Sequence, residues 1–445
     1  MPKNEKNVFW TEFNPIKEEE YSVDPLGLQN YSEVLAEKIL PGITSRTRKP
    51  RYFSFLCWCL QVIEKNSGTL GVRQFGKVED TEIKLMQLEK LFVLSIIAYY
   101  GSKGTSVPNN EKPLLGIEKA SSYFQLGTKT FSLGNDYEFL KNQRFLGCFG
   151  AYKTALGKIG FMDLSTYETT KDGDSSGENL ANAFCRKKEI ERIAVKSIRL
   201  GKIEREELVK LGKNFLLSPQ AMSEREKNIF YCRLKEKYSI RSQTFGLFEN
   251  EDGVDDLELV GNVLEKKIKV SAELAKILEL IRIYEYFSIA VASIFELALH
   301  TLQQGKDLSE LQVDQCIAKL KTPESLVNYL RKDNRSIEPS LCLLQSINNQ
   351  LITILIPAIS EDESEYAKSL CIFVNDVYSA VTTSDIADLV NVIIRRHVQL
   401  KDRWSWIANN TLTNKLCINT SRSMKVPKLH SYRLESLKQL ASESR

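Results

Sequence analysis

From residue 79 to 100 the apolar positions Ile83, Leu85, Leu88, Leu91, Phe92, Leu94 and Ile97 recur at helical spacing. This predicts a long amphipathic helix that turns fully apolar at its end, closed by Gly101 and Gly104. Residues 28–40 show the same periodicity and stop at the breaker pair Pro41-Gly42. Residues 52–63 are so rich in aromatic and apolar side chains that they must be buried, in their own chain or against a partner.

Shorter periodic stretches follow. Residues 137–142, 151–159 and 177–184 read as helices separated by turns, an arrangement compatible with a winged-helix or helix-turn-helix module and equally with any three-helix bundle. Residues 186–250 read as charged helices, in which mixed runs such as Glu224-Arg225-Glu226-Lys227 are expected on a solvated face. The acidic stretch 250–256 is a candidate boundary. Beyond it, 270–304 is the longest periodic run, 341–356 should end at Pro357, and Thr383-Ser384-Asp385 can cap a helix over 386–400. Residues 411–420 alternate weakly and suit a strand or hairpin, and 432–440 suits a terminal helix.

The expected fold is therefore mainly α. A helical region spans 1–115, a helical and winged-helix-compatible unit 116–250, a helical bundle 257–400 and a basic tail 401–445. Three apolar stretches, 91–100, 286–302 and 341–359, are too short or too interrupted by polar residues for membrane spans and read as buried helices. The first twenty residues lack the apolar core of a signal peptide. Nine cysteines without a C-x-x-C pair suit free thiols in a reducing compartment, so a cytoplasmic location is expected.

Chemistry is sparse. The three histidines, His300, His397 and His430, form no metal-ligand spacing, and His397 reads as part of a basic face after Arg395-Arg396. No phosphate-loop, dinucleotide or nucleophile-elbow motif occurs, and no cofactor is expected. One enzymatic reading is a metal-dependent nuclease with Asp255 or Asp256, Glu265 and Lys267, an acid followed by Glu-x-Lys. Basic patches lead elsewhere. Net charge is only +4, yet 46–51, 186–188 and the tail concentrate cations, with eleven Lys or Arg against three Asp or Glu over 391–445. Such patches neutralise phosphates, and Trp404 or Trp406 can stack on a base. The alternatives are a solvated connector, an acidic protein partner and ordinary core packing.

A set of stretches carries a resemblance: Asp24-Pro25-Leu26-Gly27-Leu28, Ile39-Leu40-Pro41-Gly42-Ile43-Thr44, Thr47 to Phe55 with Trp58, and Gly177 to Phe184. Over roughly the first 185 residues the chain resembles uncharacterised bacterial proteins encoded in mobile or anti-phage defence loci. The resemblance implies a setting, with other defence-system proteins as partners, and no catalytic residues. The expectation is a non-enzymatic complex subunit, not membrane-bound, that binds DNA or a partner protein. Arg48, Arg51, Arg395, Arg396, Lys401 and Arg403 are the expected contact residues.

Overall fold

Lys49 is extended and Pro50 takes the first helical position, where its missing N–H costs nothing. From there one helix runs to Lys65 with every side chain from Pro50 to Ile63 buried. A helix enclosed on all faces has to sit at the centre of its unit. The structure, a computed structural model, describes residues 24–72, 78–126, 129–134, 137–236, 239–249, 268–304, 308, 322–332, 336–400, 407–410, 415–418 and 434–444. It is mainly α-helical and divides into two units, Ile39–Gly253 with Arg433–Arg445 and Met1–Lys38 with Val254–Tyr432.

In chain order the helices are α1 (Gln29–Ile39), α2 (Pro50–Lys65), α3 (Ser67–Leu70), α4 (Val78–Ser102), α5 (Ile117–Gln125), α6 (Gln143–Leu146), α7 (Cys148–Ile159), α8 (Gly177–Phe184), α9 (Lys188–Leu200), α10 (Arg205–Gly212), α11 (Glu224–Leu234) and α12 (Ile240–Glu249). They continue with α13 (Ala272–Gln303), α14 (Pro323–Lys332), α15 (Glu338–Gln350), α16 (Ile356–Ser360), α17 (Glu365–Thr383), α18 (Ile386–Leu400) and α19 (Leu434–Ser444).

In the first unit α2 packs against α4, α7, α8 and α19, and α4 carries α10 along its length. The core is aromatic. Phe55 lies 4.1 Å from Phe92, Trp58 5.3 Å from Phe215, and Phe53 5.0 Å from both Tyr152 and Phe230. Each such ring contributes about 1.5–3 kcal/mol by burial. Gly212 shows how closely the layers meet. A Cβ there would stand 2.2 Å from the Ser95 carbonyl oxygen, so α10 lies on the backbone of α4. Strands β1 (Thr130–Ser132) and β2 (Lys202–Glu204) pair antiparallel, with Phe131 opposite Ile203 and both buried.

Residues 137–142 do not form the expected helix. Six residues are too few to repay helix nucleation without packing. Asn142 turns into the left-handed region at φ 58°, while Tyr137 stacks on Tyr123 with ring centroids 4.0 Å apart.

In the second unit α13 is a 32-residue helix, buried on nearly all sides over its second half and capped by Ser271, which accepts from the Leu274 N–H. It packs against α14, α15 and α18. The N-terminal segment is fastened to this bundle by its own carbonyls. Asp24 accepts from the Leu28 and Gln29 N–H groups and caps α1. The next four carbonyls each accept from a bundle side chain: Pro25 from His397 (2.9 Å), Leu26 from Arg396 (3.2 Å), Gly27 from Tyr366 (2.8 Å) and Leu28 from Tyr284 (2.5 Å). His397 is fully buried with Phe295 4.8 Å away, so it belongs to the core and not to a basic face.

Pro357 does not end its helix. Proline lacks the N–H for the carbonyl four residues back and collides with it. The chain widens into a π turn over Leu351–Leu355 and then resumes as α16. The stretch Glu338–Ser360 is long and apolar enough, by length and composition alone, to cross a membrane. One third of its most apolar window is buried, so the expected burial of 341–359 is only partial. Asp385 caps α18 through the Asp388 N–H as expected. In the tail, β3 (Ile407–Asn410) and β4 (Lys415–Ile418) form an antiparallel pair.

Glu89 on α4 is enclosed by the first unit. It accepts from Gln143 Nε2 (2.8 Å) and from the Cys148 N–H, the first donor of α7, and so caps that helix from outside. Burial raises its carboxyl from the ordinary 4.5 to about 7, against the lowering effect of those hydrogen bonds and Lys90. Between these values the folded chain keeps a proton that the unfolded chain has released. Stability from this group is therefore full at low pH and falls as pH rises, by about 1.4 kcal/mol per pH unit, levelling off above about pH 7. Chemical denaturation of wild type and Glu89→Gln across that range should show this slope only in the wild type. Equal slopes would mean that Glu89 titrates as an ordinary surface carboxylate.

Candidate functional site

The structure separates the expected contact residues. Arg48 is exposed and donates from Nε to the Ser45 carbonyl (2.7 Å). Arg395 is exposed on α18, in a shallow groove shared with Lys368, Glu365 and Asp376, where charges of both signs offset one another. Lys401 and Arg403 lie outside the described residues, as do Trp404, Trp406 and the nuclease candidates Asp255, Asp256, Glu265 and Lys267. Among the described residues no group of three or more potential ligands is placed to hold a metal ion.

Arg51 and Arg396 are not surface contacts. Arg396 is 2% exposed and is used by the Leu26 and Ser369 carbonyls and the Ser369 hydroxyl. Arg51 is 3% exposed. Its Nε donates to the Leu216 carbonyl (3.1 Å), Nη2 to the Asn214 carbonyl (3.0 Å) and Nη1 to the Glu226 carboxylate. Its guanidinium also lies 4.3 Å from the centre of the Phe184 ring. Burial lowers the Arg51 guanidinium and raises the Glu226 carboxyl, and each is opposed by the other's charge. The guanidinium stays protonated throughout the accessible range.

That side chain ties together three segments, and the same three line an open pocket of about 330 Å³ on the first unit. Asn182, Ala183, Phe184, Cys185, Arg186 and Lys187 form one side, Asn214 the second, and Ser223 with Arg225 the third. The local sequence explains the arrangement. α8 ends at Phe184, whose ring is held in the core by Trp58 and Phe215, and Cys185 leaves in an extended conformation. This turns Arg186 and Lys187 out to solvent. Ser223 caps α11 through the Glu226 N–H, which places Arg225 in the first turn facing outward and Glu226 inward.

The electrostatics are one-sided. Arg186 donates to the Asn182 carbonyl (3.1 Å), Lys187 to Asn214 Oδ1 (3.1 Å) and Arg225 to Asn179 Oδ1 (3.4 Å). All these acceptors are neutral. Among the described residues no carboxylate lines the pocket, whereas Arg51, Arg144, Lys153 and Lys196 are each paired with a glutamate. Cations held by amides keep their charge available to an anion. Next to the pocket, the first turn of α9 carries Glu189 and Glu191, which face its N-terminal dipole, and the Lys187 carbonyl accepts from the Ile190 N–H (3.0 Å). The run 186–188 was visible in the sequence as a basic patch, but Arg225 and Asn214 were not. Arg225 hides in a mixed-charge run that reads as plain surface, although its neighbour Glu226 is fully buried.

Arg51→Ala should lower the free energy of unfolding by about 3–5 kcal/mol, since it leaves the Glu226 carboxylate enclosed without a partner. Arg51→Met with Glu226→Leu should recover most of that loss. A single-variant loss below about 0.5 kcal/mol, the range of an exposed substitution, would contradict the enclosed pair.

No family model, curated protein or solved structure matches the chain.

Proposed function

We propose that this chain is a non-enzymatic, cytoplasmic subunit of a bacterial anti-phage defence complex that engages DNA through cationic surfaces, with catalysis supplied by partner proteins of the same system. The binding part rests on one observation: among the described residues, the pocket formed by Arg186, Lys187 and Arg225 is lined by three cations and no carboxylate. Arg186, Lys187 and Arg225 each donate to a neutral amide or carbonyl oxygen, which leaves their charge available to an anion. The defence setting rests on the resemblance of the first 185 residues. The pocket lies within the segment 116–250, for which a winged-helix-like unit is the sequence expectation. Exposed Arg48 and Arg395 are further contact residues on this reading, and Lys401 and Arg403 extend it into the tail. Docking of an acidic partner protein is the other use of the same charge.

Binding of a short single strand should weaken linearly in log affinity against log salt, with a slope of about −0.7 per neutralised phosphate. In the triple variant Arg186→Ala, Lys187→Ala, Arg225→Ala the slope should become shallower by about 1 or more. The same titration on a duplex measures how much of the affinity needs an open strand. A slope unchanged in the variant would move DNA contact away from the pocket. Absence of binding at low salt would overturn the DNA reading.

A further inference from the structure

We infer that the Arg186–Lys187–Arg225 pocket recognises the terminal phosphate of a DNA single strand, rather than the internal phosphates of a duplex. This rests on the DNA-binding reading above and sharpens it.

Shape is the first argument. A duplex backbone is convex and continuous, and proteins track it with a ridge or an open groove. Here the cations line two sides of an open concavity of about 330 Å³, near the lower end of the range for small-molecule sites, about 300–1,000 Å³. That volume suits one nucleotide entering end-on.

Charge is the second. An internal phosphodiester carries one negative charge and has two unesterified oxygens. A terminal monoester carries about −1.5 to −2 at neutral pH and presents three strong acceptor oxygens. Three cationic side chains from two segments offer one donor group to each of the monoester's three oxygens and come closer to balancing its charge than that of a diester. An internal phosphate would leave part of that charge unanswered.

The third argument is the wall. Ala183, Phe184 and Cys185 give the pocket an apolar side, while Asn182 and Asn214 provide amides next to it. A phosphate alone needs no apolar wall, but the sugar or base attached to it does. The Phe184 ring cannot swing away to admit a larger group, because Arg51 lies over it at 4.3 Å and Phe215 is stacked with it at 5.8 Å.

The experiment is fluorescence anisotropy with one short single strand in three forms, carrying a 5′-phosphate, a 3′-phosphate or hydroxyls at both ends, with the dye on the base farthest from the end being tested. The full chain should bind one phosphorylated form roughly tenfold more tightly than the hydroxyl form. Which form gains identifies the end that is read. Lys187→Ala with Arg225→Ala, both at exposed positions, should abolish the preference, and Arg395→Ala should keep it. Circular dichroism melting confirms that each variant is folded. Equal affinity for all three forms would overturn the terminal-phosphate assignment while leaving general DNA binding standing. A preference that survives in the double variant would overturn the assignment to this pocket. Failure of every form to bind would overturn the DNA reading itself, and this inference with it.

Discussion

A guanidinium taken out of water has to have its donors met, and the residues that meet them are fixed in place as a consequence. Arg51 imposes that condition on the first unit. Its partners are the carbonyls of Asn214 and Leu216, the carboxylate of Glu226 and the ring of Phe184. These belong to a loop, to α11 and to α8. Each of the three then places a polar or charged neighbour at the pocket: the Asn214 side chain, Arg225 and the pair Arg186-Lys187. The buried arginine therefore acts at one remove. It touches no ligand, yet the position of every cation around the pocket follows from where it lies.

The second unit uses the same chemistry for assembly alone. The carbonyls of Pro25, Leu26 and Gly27 lie ahead of α1, and that of Leu28 takes only a long bond (3.5 Å) from the Ser32 N–H at its start. Buried carbonyls left unmet would each cost about 1–3 kcal/mol. His397, Arg396, Tyr366 and Tyr284 meet them in order, from three different helices. Two of these residues stand in a cluster that looks like a basic face when only the sequence is in view. Their charge and polarity serve to dock a peptide segment of the same chain.

The helices were legible where their periodicity was long. α1, α4, α13 and α18 follow directly from apolar spacing and from breaker or capping residues, and the burial of α2, though not its helical form, from its aromatic composition. Short elements were not, because six residues such as 137–142 obey tertiary packing and a left-handed Asn142 more than their own pattern. Pro357 misled for a different reason. A π turn accommodates a proline inside a helix, and no local residue type announces one. At the site, burial was the missing information. Arg48 and Arg51 are three residues apart in one basic run, yet one is exposed and the other enclosed, because Arg51 lies on a helix buried on all faces. Likewise Arg225 and Glu226 are adjacent, and the helix turns one out and the other in. Contiguous patches can be read from a sequence. A pocket assembled from residues 182–187, 214 and 223–225 cannot be.

Under the proposed function, nucleic acid meets this chain at the surface organised by Arg51. Hydrogen exchange measured by mass spectrometry, with and without saturating single-stranded DNA, tests this without any substitution. Protection should concentrate in peptides covering 182–190, 212–216 and 222–227, together and to a similar degree, since one buried side chain couples them. Protection confined to other regions, with these three segments exchanging as in the free protein, would contradict the account.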